Sequence, residues 1–228
     1  MRISKPVILT VLAAGALGGA METGATPAEL PPGGSVNPIP TFSGTGTPTH
    51  DILADTGLQM ATENGMTVQF EEWAVKTDLN PSGLVFAFAI ETSNDPMSSL
   101  SATLPGYSGF MTSVEACDPF SSASTCGTAT GMAARSDGMG DTLTFSSLGT
   151  TPVSPPGGSP TWFSNLNGVF TNASGFVDPQ VTVMDNGTRF LFDGIAPKTT
   201  SSVPEPATFG LLALGLLGSG LARGRRRR

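Results

Sequence analysis

Residues 83–91 read GLVFAFAIE, and their spacing decides the fold. Along an extended chain, successive side chains point to opposite faces. Leu84, Phe86, Phe88 and Ile90 therefore face one way, and Val85, Ala87 and Ala89 the other. Both faces are apolar, so neither is suited to water. Such a run predicts a central strand held between two layers.

Shorter runs of the same kind lie on either side. Met66, Val68 and Phe70 share one face of a stretch that continues through Trp73 and Val75. Residues 142–148 offer Leu143 and Phe145, and further short runs fall at 168–171 and at Phe176-Val177. Residues 181–184 and 189–192 flank Asp185-Asn186-Gly187-Thr188. Asn-Gly between apolar runs is a hairpin signal, because both residues tolerate the positive φ of a type I′ turn. No amphipathic helix and no repeat period interrupt the pattern between residues 61 and 200. Short strands separated by Gly, Pro, Ser and Asn turns predict an all-β body, an antiparallel β-sandwich or jelly-roll-like domain. TPVSPPGGSP, residues 151–160, reads as a long loop inside it. Residues 21–60, with Pro27, Pro31-Pro32, Gly33-Gly34, Pro38, Pro40 and Pro48, read as an exposed linker containing a short strand near Ile52-Leu53.

The chain has 228 residues and a formal net charge of −7, which hides an asymmetry. Between Met21 and Val203 lie four basic residues, Lys76, Arg135, Arg189 and Lys198, against seventeen acids, a net of −13. That balance excludes nucleic acid and anionic lipid as partners of the body, since both are held by Lys and Arg contacts to phosphate. Cys117 and Cys126 are the two cysteines and enclose CDPFSSASTC. In an oxidising compartment they are expected to form a disulfide. Closing a loop of that size stabilises the fold by roughly 2.5–3 kcal/mol in the chain-entropy account.

Both ends carry targeting patterns. The first twenty residues read MRISKPVILTVLAAGALGGA. Arg2 and Lys5 form a basic start, residues 7–17 a short apolar run, and Gly18-Gly19-Ala20 a small-residue site. This predicts a secretory signal helix, residues 1–20, cleaved by signal peptidase after Ala20, with Ala25 as a second choice. Export through the Sec translocon follows from it.

The tail reads SSVPEPATFGLLALGLLGSGLARGRRRR. Pro204 and Pro206 push the residues before them into extended geometry. Residues 207–222 are sixteen positions without a charge. As a hydrophobic transmembrane helix they span ~24 Å, against a hydrocarbon core of ~30 Å. Arginine snorkelling and bilayer thinning close the gap. Arg223, Arg225, Arg226, Arg227 and Arg228 then act as a cytoplasmic stop, leaving the proline-rich segment outside.

In its last residues, 201–228, the chain resembles proteins with a PEP-CTERM sorting tail. The V-P-E-P-A-T box at 203–208, the apolar helix and the arginine-rich end follow one another in order. The resemblance implies a sorting signal at Val203, Pro204, Glu205, Pro206 and Ala207. It implies recognition and cleavage near the box by an exosortase, a membrane enzyme. It also implies display on the cell surface, or release into the extracellular matrix, of a Gram-negative bacterium that makes exopolysaccharide.

Catalytic chemistry finds little support. His50, the one histidine, sits in Thr49-His50-Asp51 within the linker-like region and reads as an exposed residue. Glu71 and Glu72 are adjacent, so on a strand they face opposite ways and cannot by themselves pair for acid–base work. Residues 137–143, DGMGDTL, have a partial likeness to calcium-binding glycine-aspartate repeats, but they lack one residue of the spacing and occur once; a turn leading into Leu143 and Phe145 explains them better. No phosphate loop and no nucleophile elbow is present. No metal or other cofactor is expected. Trp73, Trp162 and Tyr107 are aromatic groups able to stack on sugars. Trp162, in a loop-like context, is the preferred glycan contact. The expectation is a non-enzymatic surface or matrix protein associated with exopolysaccharide; the alternatives are a secreted carbohydrate-binding module and a secreted polysaccharide hydrolase.

Overall fold

The computed structural model describes residues 27–41, 50–78, 80–93, 99–117, 130–153 and 160–198. Among these residues there are seventeen strands and no helix. In chain order the first six are β1 (Ala28–Glu29), β2 (Ser35–Val36), β3 (His50–Asp55), β4 (Gln59–Glu63), β5 (Met66–Thr77) and β6 (Val85–Thr92). Next come β7 (Ser101–Leu104), β8 (Thr112–Cys117), β9 (Met132–Arg135), β10 (Leu143–Ser146), β11 (Thr150–Val153) and β12 (Thr161–Ser164). The last are β13 (Leu166–Thr171), β14 (Gly175–Val177), β15 (Gln180–Asp185), β16 (Thr188–Asp193) and β17 (Ala196–Lys198). The expected signal helix (1–20) and tail helix (207–222) lie outside the described residues.

The strands form a nine-stranded sheet, a six-stranded sheet and a two-stranded one. The nine-stranded sheet runs β1-β8-β13-β6-β12-β11, with β5 on the other edge of β6 and with β3 and β4 both paired to β5. The six-stranded sheet runs β16-β15-β7-β10-β9-β2. All of these strand pairings are antiparallel.

β6 is the centre that GLVFAFAIE predicted. It pairs with β5 on one side and with β13 and β12 on the other, and all eight of its residues are buried. Phe86, Phe88 and Ile90 belong to the main core, which draws on both large sheets. Two aromatic contacts join the sheets: Phe70 of β5 stacks on Phe192 of β16 at 5.4 Å, and Phe88 of β6 meets the edge of Phe145 of β10 at 5.0 Å. Burying one such ring contributes roughly 1.5–3 kcal/mol. Val85, Ala87 and Ala89 lie on the opposite face, with Trp73, Val75, Phe163, Leu166 and Phe170, in a second and smaller apolar cluster.

Asn186-Gly187 closes the β15–β16 hairpin with φ values of 46° and 79°, the positive pair a type I′ turn needs. Asn64-Gly65, at 51° and 79°, does the same between β4 and β5.

Two expectations need correction. The stretch read as an exposed linker carries strands. Leu30 and Ile39, at 0% and 1% exposure, belong to the main core, β1 pairs with β8, and β2 pairs with β9. Isolated apolar residues among prolines suffice to anchor a segment once two sheet edges are there to receive it. The second concerns residues 151–160. Thr150–Val153 is a strand paired to Thr161–Ser164, so Trp162 stands in a strand rather than a loop.

Candidate functional site

The expected functional residues fall into two groups. Val203, Pro204, Glu205, Pro206, Ala207, the arginines Arg223 and Arg225 to Arg228, Ala20 and Cys126 all lie outside the described residues. The others can be placed. Cys117 ends β8 and is buried. Trp162 pairs across to Thr92 on one side and Pro152 on the other, and is half-buried. Tyr107 is fully buried and packs edge-on against Phe86 at 6.2 Å, which removes it as a glycan contact. Trp73 is buried too. His50 opens β3 opposite Thr77.

Glu71 and Glu72 face opposite sides of β5, as strand geometry requires, and both are buried. Glu72 points to the main-core side, in step with Phe70 and Ala74. Its Oε2 accepts the Ile195 amide at 2.9 Å, and its Oε1 has no partner. Burial pushes its pKa up to about 8, the Ile195 hydrogen bond opposing. Burial first, then the Glu72 charge, raise the nearby Tyr107 phenol well above its ordinary value. Glu115 of β8, also buried, is pushed up to about 7 by desolvation.

One charged residue that sequence reading passed over holds an end of the body together. Arg135, the last residue of β9, is 5% exposed. Its Nε donates to the Gly140 carbonyl at 2.8 Å. Its Nη1 donates to the Leu30 carbonyl at 3.2 Å and to Thr112 Oγ1 at 2.9 Å, and its Nη2 to the Tyr107 carbonyl. Thr112 Oγ1 in turn donates to the Leu30 carbonyl at 2.7 Å. One guanidinium thus ties the segment after β1, the start of β8, the β7–β8 connection and the β9–β10 turn. Burial lowers its pKa. The same contacts explain residues 137–143: Gly140, at φ +64°, brings its carbonyl onto Arg135 and leaves no room there for a side chain. Only the scarcity of basic residues in the body marked Arg135 in the sequence; no motif surrounds it.

Beside Arg135 opens a cleft of about 420 Å³. Leu30, Pro31, Pro32, Phe110, Met111 and Phe170 supply its apolar walls. Glu29, Asn80, Ser82, Ser113, Thr171 and Asn172 supply polar groups, and Arg135 with Thr112 completes the lining.

Comparison with protein-family models matches residues 202–228 to the PEP-CTERM protein-sorting motif. Searches among curated proteins and among solved structures gave no match. Among the described residues the chain is therefore all-β and antiparallel, and its last residues, 202–228, carry the PEP-CTERM sorting motif. Such a tail implies an exported protein that is processed at a membrane by an exosortase.

Proposed function

We propose that this chain is a non-enzymatic protein of the cell surface or extracellular matrix of a Gram-negative bacterium, associated with exopolysaccharide. The observation that carries the reading is the sorting motif at residues 202–228. The signal helix enters the Sec translocon, and signal peptidase cuts after Ala20. The apolar helix 207–222 then lodges in the inner membrane, with Arg223 and Arg225 to Arg228 on the cytoplasmic side. That leaves Val203 to Ala207 outside, extended by Pro204 and Pro206, where an exosortase-like enzyme binds and cuts them. The tail is a disposable anchor, comparable in logic to a GPI signal. In the oxidising space beyond the membrane, Cys117 and Cys126 close a disulfide that adds durability.

The test is the intact mass of the protein recovered from its own cell's surface or medium. A mass fitting residues 21 to about 204–207, with any attached group, supports both cleavages. A mass retaining Phe209 to Arg228 means a permanent anchor and defeats the sorting mechanism. Incubation with acidic and neutral polysaccharides is expected to release no reducing ends; release by the wild type would make it a hydrolase.

A further inference from the structure

A guanidinium carries five N–H donors. Arg135 uses four of them, on three carbonyls and one hydroxyl, and none of these acceptors is charged. One N–H on Nη2 is left over, and Arg135 lines the cleft. A buried charge is costly unless it is paired. The fold has therefore fixed a cation rigidly, through four segments of chain, without giving it a counter-anion among the described residues. An anion entering the cleft would complete the set through one charge-assisted hydrogen bond to that N–H.

The rest of the lining narrows the ligand. The cleft's size, about 420 Å³, suits a small molecule or a short piece of polymer. Pro31, Pro32 and the 71%-exposed Met111 present stiff or adaptable apolar surface. Ser82, Ser113 and Asn172 set hydroxyl and amide groups among them. Apolar patches interleaved with neutral hydrogen-bonding groups match a sugar ring, which has C–H faces and a hydroxyl edge. Exposed Glu29 and the acidic body oppose each carboxylate beyond the one that Arg135 pairs, so the arrangement favours a short acidic glycan, engaged through one carboxylate, over a long dense polyanion.

We propose that this cleft binds a uronic-acid residue of an acidic glycan, its carboxylate accepting the spare Nη2–H of Arg135 and its ring lying against Pro31, Pro32 and Met111. The assignment deepens the matrix reading above and is separable from it, since the mass measurement can succeed where glycan binding fails, and the reverse.

The test is calorimetric titration of the exported protein, as recovered from the producing cell, with tri-galacturonate, maltotriose and acetate. Tri-galacturonate is expected to bind, and the other two not to bind. Glu29→Gln removes a repelling charge at an exposed position and strengthens binding by about two- to fivefold; Met111→Glu adds one and weakens it by at least as much. Arg135→Lys keeps the charge but gives up the hydrogen bonds that fix it, so affinity falls by about tenfold or more together with the melting temperature, and Glu29→Gln and Met111→Glu, which leave those bonds intact, carry the test of the site. Equal binding of maltotriose overturns the carboxylate. Equal binding of acetate overturns the glycan. Absence of tri-galacturonate binding, or affinity indifferent to both Glu29→Gln and Met111→Glu, overturns the site.

Discussion

The Ile195 amide donates to Glu72 Oε2 at 2.9 Å, while Glu72 Oε1 is buried with no hydrogen-bond partner. A carboxyl solvated on one oxygen only is held in its neutral form, with a pKa raised from 4.5 to about 8. Below pH 4.5 the folded and unfolded chains are both protonated at this site and its contribution is fully present. As pH rises toward about 8, the unfolded chain ionises and the folded chain does not, so stability is lost across that window and then levels off. The loss runs at up to about 1.4 kcal/mol per pH unit. Glu115 acts with the same sign up to about 7. Urea midpoints measured from pH 4 to 9 should fall for the wild type and fall less for Glu72→Gln; parallel curves would show that Glu72 titrates normally.

Gly140 illustrates how a turn can be tied to a buried charge. Its φ of +64° is shared by many turn glycines, but a Cβ there would also run into the Arg135 guanidinium. Gly187, at +79°, has nothing within 4 Å of the same atom. Gly187→Ala should therefore cost only the conformational term, about 1–2 kcal/mol. Gly140→Ala should cost more, because it displaces Arg135 from its carbonyls. Thermal melts of the two variants side by side measure the difference; equal losses would mean that Arg135 yields freely.

The sequence was most legible where a residue's environment depends on its immediate neighbours. The two-sided apolar run of β6 and the Asn186-Gly187 turn are of that kind, and the all-β, antiparallel character follows from them. The burial of Leu30 and Ile39 was not legible, because each sits alone among prolines and gains its surroundings from distant strands. Arg135 was hidden for the same reason: its acceptors come from residues 30, 107, 112 and 140, and no local pattern announces that four segments converge. Tyr107, a candidate for stacking on sugars, is buried, because its surroundings too come from distant strands that its neighbours in sequence do not announce. The tail needed no tertiary context, because its proline box, apolar run and arginines follow one another in sequence order.

Cys117 lies at the buried end of β8, and its proposed bond to Cys126 closes a short loop. Intact mass of the exported protein should rise by the mass of two hydrogens on reduction, and the melting temperature should fall. Cys117→Ser is expected to lose roughly 2.5–3 kcal/mol. A mass unchanged by reductant would mean the two thiols remain apart.

The proline-flanked Glu205 is the sharpest test of the tail. Each proline disfavours helical geometry in the residue before it, and the carboxylate between Pro204 and Pro206 is the one charge between Lys198 and Arg223. An enzyme that grips this segment reads both shape and charge. A triple variant, Pro204→Ala/Glu205→Ala/Pro206→Ala, keeps the apolar segment 207–222 and the arginines and so should still insert in the membrane. In a host with an exosortase it should accumulate as an uncut, membrane-bound precursor while the wild type is processed. Glu205→Gln, which keeps the shape and removes the charge, should fall between the two. Normal processing of the triple variant would assign cleavage to some other feature of residues 207–228 and remove the box from the mechanism.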